Sequence, residues 1–275
     1  MNLIPFVLYA AAAVVYAIHF AKRQPGIGRT ATTLLLLAAL AHTFVIGMQT
    51  MEVRHVPIAS PSRAVSSFVW MLALSYLYLE LASEERAMGV FILPIAVGLQ
   101  AIPAFSPGVE NADPVLDSPW FWVHVASLLF AYASFALAAM LGLTYVLQFK
   151  EIKKKHLGYF YTRLPSLHIL DAMNSRAVMV GWLFLTLGVV VGVVWTAQAR
   201  ALTPGNSNLQ AMSLNDPKIL IASLTWAVYS FEVFARSTMG WTGRRAAWLS
   251  ALGFAIVLLN LLPVSYFVTT SHTFQ

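Results

Sequence analysis

The chain alternates long apolar runs with short polar connections from end to end, and the length of those runs decides what it can fold into. Eight runs are bounded by charges or turn residues, roughly Leu3–Phe20, Ala31–Met48, Val65–Leu81, Met88–Phe105, Trp120–Phe149, Ala177–Ala197, Ile219–Ala235 and Ala246–Tyr266. About 20 apolar residues in a helix match the hydrocarbon thickness of a bilayer. Composition agrees: of 275 residues, 59% are hydrophobic and 10% charged, against about 25% charged in an ordinary soluble domain. Mean hydropathy is +0.72. The soluble classes are excluded, and the expected fold is an all-α polytopic membrane bundle of about eight transmembrane helices. By length, residues 1–275 make a single integral-membrane domain with no room for a catalytic ectodomain. Met1-Asn2 offers no basic n-region, so no cleavable signal is expected. The fifth run exceeds what a bilayer requires and predicts a helix that tilts or projects. No internal repeat or low-complexity segment is visible.

The basic residues orient the bundle. Lys22, Arg23, Arg29, Arg86, Lys150, Lys153, Lys154, Lys155, Arg163, Arg176, Arg236, Arg244 and Arg245 fall in alternate connections, thirteen of the seventeen. The opposite side has Arg54, Arg63, Arg200 and Lys218. The positive-inside rule puts the thirteen in the cytoplasm and both termini outside, which agrees with an even number of spans. The same rule accounts for the net charge of +6 without a nucleic-acid partner. Cysteine is absent, so disulfides, thiolate metal sites and a thiol nucleophile are excluded.

Two outer loops stand out. Ser106–Ser118 carries Glu110, Asp113 and Asp117 among helix-breaking Pro107, Gly108 and Pro114. Arg200–Pro217 has turn chemistry at Pro204-Gly205-Asn206 and ends in Asp216-Pro217, which reads as a helix N-cap followed by proline at the first helical position.

Ionisable side chains at membrane depth are costly and point to function, which makes the seven histidines the main inventory. His156 and His168 lie in the basic loop, and His19 sits beside Lys22 and Arg23, all in solvated or interfacial settings. The other four gather toward the outside: His42 in the second run, His55 in the loop after it, His124 at the start of the fifth run behind Trp120 and Trp122, and His272 just past the eighth. Two outward histidines on separate spans, one among aromatics, suit bis-imidazole ligation of haem iron. The plainer alternatives stay open: an interfacial residue in an aromatic belt for His124, and a hydrogen-bonded core histidine for His42. No close histidine pair has zinc-ligand spacing, and no P-loop, dinucleotide fingerprint or nucleophile elbow is present. Glu232 and Arg236 stand four apart near the end of the seventh run, the spacing of a helix ion pair, with a proton relay as the sharper alternative.

Several stretches in order resemble the cytochrome c assembly family of haem-handling membrane proteins (the CcsA, CcmC and HemX-like proteins). They are Trp122-Val123-His124-Val125-Ala126-Ser127, Ala131-Tyr132-Ala133-Ser134-Phe135, Gly142-Leu143-Thr144-Tyr145, Leu164-Pro165-Ser166-Leu167, Gly192-Val193-Val194-Trp195, Asp216-Pro217-Lys218, Gly240-Trp241-Thr242-Gly243-Arg244-Arg245 and Ser271-His272. The resemblance covers about residues 120–275 and is most similar to the small HemX-like or YpjD-like inner-membrane members. It implies an outward haem site with His124 and His272 as axial ligands to the iron of haem b. His42 matches, more weakly, a histidine of the second span in HemX-like members. Trp120, Trp122 and Asp216 would flank the cofactor. The chain departs from the family's tryptophan-rich outer loop: no tryptophan lies between Trp195 and Asp216, and Asn215 precedes Asp216. Phe234 stands about where the family has an intramembrane histidine.

The resemblance therefore implies a cytochrome c assembly factor of the bacterial inner membrane that binds haem without bond chemistry of its own. Its expected partners are haem, membrane lipid and apocytochrome c or other assembly proteins. Spans five and eight are expected to be neighbours. A non-enzymatic scaffold or regulator that has lost haem binding, and a small-molecule transporter, are the competing functions. The topology is directly testable: reporter fusions after Lys153 and at Gln275 should fall on opposite sides of the membrane, and finding them on one side overturns the eight-span arrangement.

Overall fold

A computed structural model describes residues 1–53, 60–106, 118–155, 158, 161–202 and 217–259. Among them are eight α-helices and no strand: α1 (Leu3–Lys22), α2 (Pro25–Val53), α3 (Pro61–Ser83), α4 (Gly89–Phe105), α5 (Pro119–Lys153), α6 (Leu167–Leu202), α7 (Pro217–Thr238) and α8 (Arg244–Leu259). Each expected span coincides with one helix. Six of them are long and apolar enough to cross a membrane. α4, with 17 residues, rises only about 25 Å.

The helix ends follow local chemistry. Proline occupies the first turn of α3 and α5, where its missing N–H costs nothing. The Ser60 side chain caps α3 by accepting from the Arg63 amide at 3.3 Å. Arg23 and Glu84 end α1 and α3 in left-handed backbone, with φ of 53° and 55°. α5 is 35 residues long, as its uninterrupted apolar run predicted. α6 begins ten residues before the expected start, at Leu167 rather than Ala177. The polar residues that seemed to hold it back find partners inside the protein. Asp171 takes hydrogen bonds from Arg236 and the Gly243 amide, and Arg176, expected in a loop, donates to the Ala82 carbonyl at the end of α3.

The helices form two rings with the same order of neighbours. In the first, α1 packs on α2 and α4, and α3 on α2 and α4; in the second, α5 packs on α6 and α8, and α7 on α6 and α8. α3 then lies against α5 and α6 and joins the rings. Connectivity thus repeats where the sequence shows no repeat, because up-down connection of four helices by short loops favours the same closed ring.

Close approach between helices rests on glycine, the usual device where hydrocarbon offers no hydrophobic drive to associate. On α6, a Cβ at Gly181 would run into the Phe135 ring of α5, and one at Gly188 would come within 2.8 Å of Leu128. On α5, a Cβ at Gly142 would lie 2.7 Å from the Ala247 carbonyl oxygen of α8. Backbone cannot swing aside as a side chain can. Gly142→Ala should therefore cost about 1–3 kcal/mol through overpacking and lower the thermal unfolding midpoint in detergent. Gly98→Ala, with no atom within 4 Å of the new Cβ, should leave that midpoint unchanged or slightly raised.

Candidate functional site

The basic connections lie at one end of the bundle, and His124 lies toward the other. It stands in the second turn of α5 and its ring is sandwiched against α6. Gly192 leaves room for it, since a Cβ there would sit 2.5 Å from His124 Nδ1 and 2.6 Å from Cε1. Nδ1 is 2.7 Å from the Gly188 carbonyl oxygen. A carbonyl only accepts, so Nδ1 carries the hydrogen, and in the neutral ring Nε2 holds the lone pair. This is the arrangement by which an outer partner orients a metal-binding imidazole.

Aromatic side chains surround this end. Phe121 lies one turn before His124, with its centroid 5.2 Å from the Trp122 ring and 5.0 Å from that of Trp195. Trp195 follows Gly192 by one turn on the same face of α6, is buried, and its indole N–H has no hydrogen-bond partner among the described residues. A buried donor left open is uncommon in a folded protein. The corner where α5 meets α6 thus offers one lone-pair nitrogen, one open N–H and a set of apolar rings.

The two expected flanking tryptophans part company. Trp122 is buried, whereas Trp120 is 43% exposed, because residues two apart on a helix point to nearly opposite sides. Asp216 and His272 lie outside the described residues, as do His55 and His156. Spans five and eight are direct neighbours, with Gly142 against Ala247, as the placement of His124 and His272 anticipated. Phe234, at the family's intramembrane histidine position, is exposed on the outer surface of α7.

His42 belongs to a different site. It is fully buried in the first ring; Tyr9 Oη lies 3.2 Å from Nδ1 and Ser66 Oγ 3.0 Å from Nε2. Gln100 of α4 also donates to Ser66 Oγ at 3.3 Å, so α1, α2, α3 and α4 each contribute one polar side chain. Both imidazole nitrogens are engaged. Any contact of His42 with a cofactor would have to displace one of these partners, and the arrangement is that of the hydrogen-bonded core histidine named as its plainer alternative. His19 is likewise engaged, donating to the Gln24 carbonyl at 3.1 Å, and His168 is exposed.

Among the described residues no three His, Cys, Asp or Glu side chains gather as a metal site. A crevice of about 200 Å³ runs between α3, α5 and α6, lined by Tyr78, Phe130, Val180 and Phe184 with Ser75 and Ser134. It lies deeper than His124 and is smaller than the usual ligand pocket of about 300–1,000 Å³.

Comparison with known proteins now adds the family. The model of the Cytochrome C assembly protein family matches residues 1–272. The chain belongs to that family. The match reaches well beyond the residues 120–275 that carried the sequence resemblance. Similar relatives include the cytochrome c biogenesis protein CcsA of Guillardia theta, 26% identical over 87% of this chain and 83% of the relative. That of Microcystis aeruginosa is 25% identical over 91% and 88%, and that of Trieres chinensis 22% over 94% and 90%. These relatives carry the CcsA name rather than that of the HemX-like branch.

Gly192 and Trp195 belong to a stretch that carried the family resemblance, but sequence reasoning gave neither them nor Gly188 a role at the site. The signal was present as Gly188-x3-Gly192-x2-Trp195, a small-residue step followed by an aromatic on one helix face. The His42 network makes its own prediction. His42→Leu keeps apolar volume but strips a partner from Tyr9 and from Ser66, and should destabilise the bundle by about 1–3 kcal/mol without unfolding it. Thermal unfolding of the variant measures this, and a wild-type midpoint would show that the network contributes no stability.

Proposed function

We propose that this chain binds haem b at the end opposite its basic loops, where His124 and His272 would hold its iron, and presents it for cytochrome c assembly. The observation that carries this reading is the His124 imidazole, held by Gly188 in the tautomer that leaves Nε2 free to ligate. The residues around it fit the group. Phe121, Trp122 and Trp195 supply apolar faces for a flat macrocycle, and the open Trp195 N–H is a donor suited to a carboxylate at its edge.

Bound haem supplies an iron that accepts two imidazole nitrogens and peripheral groups that a partner protein can take up. The chain's own work is to hold and orient. Gly188 fixes the His124 tautomer, Gly192 allows the ring to lie against α6, and the aromatic corner keeps water from one face. α8 packs on α5, so the segment after Leu259 leaves from a helix beside the one that bears His124. His272 follows thirteen residues later in the sequence. The segment between Trp195 and Asp216 has no tryptophan to offer a macrocycle, so haem exchange should be faster than with a tryptophan-rich loop. In this reading the protein performs no bond chemistry, resides in a bacterial inner membrane, and passes haem to apocytochrome c or another assembly protein.

The test is spectroscopic. His124→Ala and His272→Ala, each purified in detergent and loaded with haem, should lose the low-spin spectrum, with added imidazole restoring part of it. Wild-type spectra in the double variant would remove the ligand assignment. A wild-type protein that takes up no haem would leave the second reading, a membrane scaffold that keeps the family fold without the cofactor, which the missing tryptophans favour.

A further inference from the structure

At the basic end of the second ring, a cluster of polar side chains lies apart from the haem reading. Arg236 of α7 donates from Nη1 to Asp171 Oδ1 at 3.1 Å, from Nε to Glu232 Oε1 at 3.4 Å, and from Nη2 to Asn174 Oδ1. Ser250 of α8 lies 2.7 Å from Glu232 Oε1. Asn174 donates to the Ala138 carbonyl of α5 at 2.7 Å and to Ser250 Oγ at 3.0 Å. Glu232 is fully buried, and its second oxygen, Oε2, has no hydrogen-bond partner among the described residues. We infer that Glu232 carries a proton in the folded protein, making this cluster a proton-binding site, and that Arg236, shared between Asp171 and Glu232, governs whether the proton stays.

The charge count comes first. Among the described residues facing the cluster there are two carboxyl groups, Asp171 and Glu232, and one guanidinium, Arg236. α7 adds the Tyr229 hydroxyl, which donates to the Ser250 carbonyl at 3.2 Å. α5 adds the Tyr145 phenol near Gly243 and no charge at this level. Arg244 and Arg245, at the head of α8, lie instead over the rings of Phe149 and Trp241, 5.8 and 5.5 Å from their centroids. With both carboxyls ionised the cluster would hold a net negative charge inside the bundle, where charge is least tolerated. One proton brings it to neutrality.

The geometry decides which carboxyl takes it. Asp171 is 22% exposed at its side chain and its Oδ1 receives both Arg236 and the Gly243 amide, so it is the better-supported anion. Glu232 receives the longer Arg236 contact and leaves one oxygen bare, a heavy penalty for a buried carboxylate. A neutral Glu232 lowers that penalty, since its bare Oε2 is then an uncharged carbonyl oxygen. Its Oε1–H donates to Ser250 Oγ, and Ser250 turns its own hydrogen to the Ala246 carbonyl, 3.2 Å away.

The first ring provides the contrast. Glu80 of α3 is as buried as Glu232, yet both its oxygens are used, by Tyr16 and Thr32 hydroxyls at 2.5 Å each. Arg86 lies 3.9 Å from it and no second carboxylate shares the guanidinium. Proton exchange at Glu232 has its entry through the partly exposed Asp171 side, toward the basic loops.

Infrared difference spectroscopy of the protein in lipid membranes at neutral pH, compared in light and heavy water, tests the inference. The wild type should show the carbonyl stretch of a neutral carboxylic acid, shifting on deuteration. Glu232→Gln should abolish that band and Glu80→Gln should keep it. Asp171→Asn, which frees Arg236 to serve Glu232 alone, should shrink the band at least twofold at neutral pH. Superimposable wild-type and Glu232→Gln spectra overturn the inference. Should Glu232→Gln fail to assemble, an undiminished band in Asp171→Asn overturns it instead.

Discussion

Where α5 crosses α6, Gly181, Gly188 and Gly192 leave no side chain on α6 to hold the helices apart, so Phe135, Leu128 and His124 of α5 seat directly against its backbone. The rest of the arrangement depends on that contact. It aligns two helices of 35 and 36 residues over most of their length, and it brings the Gly188 carbonyl within reach of His124. It also buries the opposite face of α5 against α3 and α8. Phe135 is then free to stack on Tyr229 of α7, with ring planes 3° apart and centroids at 3.5 Å. A bulkier residue at Gly192 would displace the imidazole and with it the carbonyl bond that sets its tautomer.

In a bilayer every buried polar group must be answered from within the protein, and here the answers are concentrated in a few networks that also tie the helices together. The first ring closes through Tyr9, His42, Ser66 and Gln100 toward one end, and through Tyr16, Thr32, Glu80 and Arg86 toward the other. The second closes through Asp171, Asn174, Glu232, Arg236 and Ser250 at its basic end. At its far end the α5–α6 corner is less fully answered among the described residues: the Trp195 N–H has no hydrogen-bond partner, and the bond His124 makes is through Nδ1. These networks tie the helices of each ring together, although Glu232 Oε2 and Gln100 Oε1 stay without a partner among the described residues, and the α5–α6 corner is where the proposed ligand would bind. Arg163 and Arg176 reinforce the junction by donating to the carbonyl ends of α1 and α3 from the second ring.

Much of this was legible in the residues. Apolar run length located all eight helices, since hydrocarbon thickness imposes a near-constant span. The helix ends were harder where polar residues are satisfied at a distance. Asp171, Asn174 and Arg176 read as loop chemistry until their partners on α3, α7 and α8 are known, which is why α6 starts ten residues early. The same limit applied to His42, whose apolar neighbours in sequence gave no sign of Tyr9 or Ser66, contributed by other helices. It applied to Trp120 and Trp122 as well, where a shared aromatic segment suggested a shared role that helical geometry divides. His124 was found because a histidine at a span end is costly enough to be noticed. Trp195 stood within a family stretch but received no role, because an apolar aromatic in an apolar helix carries no comparable cost.

The central claim is that the open α5–α6 corner is a haem site. The absorption spectrum of the purified wild-type protein in detergent, titrated with ferric haem and then reduced, tests it most directly. The account predicts the sharp reduced bands of six-coordinate, low-spin haem, saturating at one haem per chain. A spectrum that stays that of free haem in detergent at every ratio would contradict it.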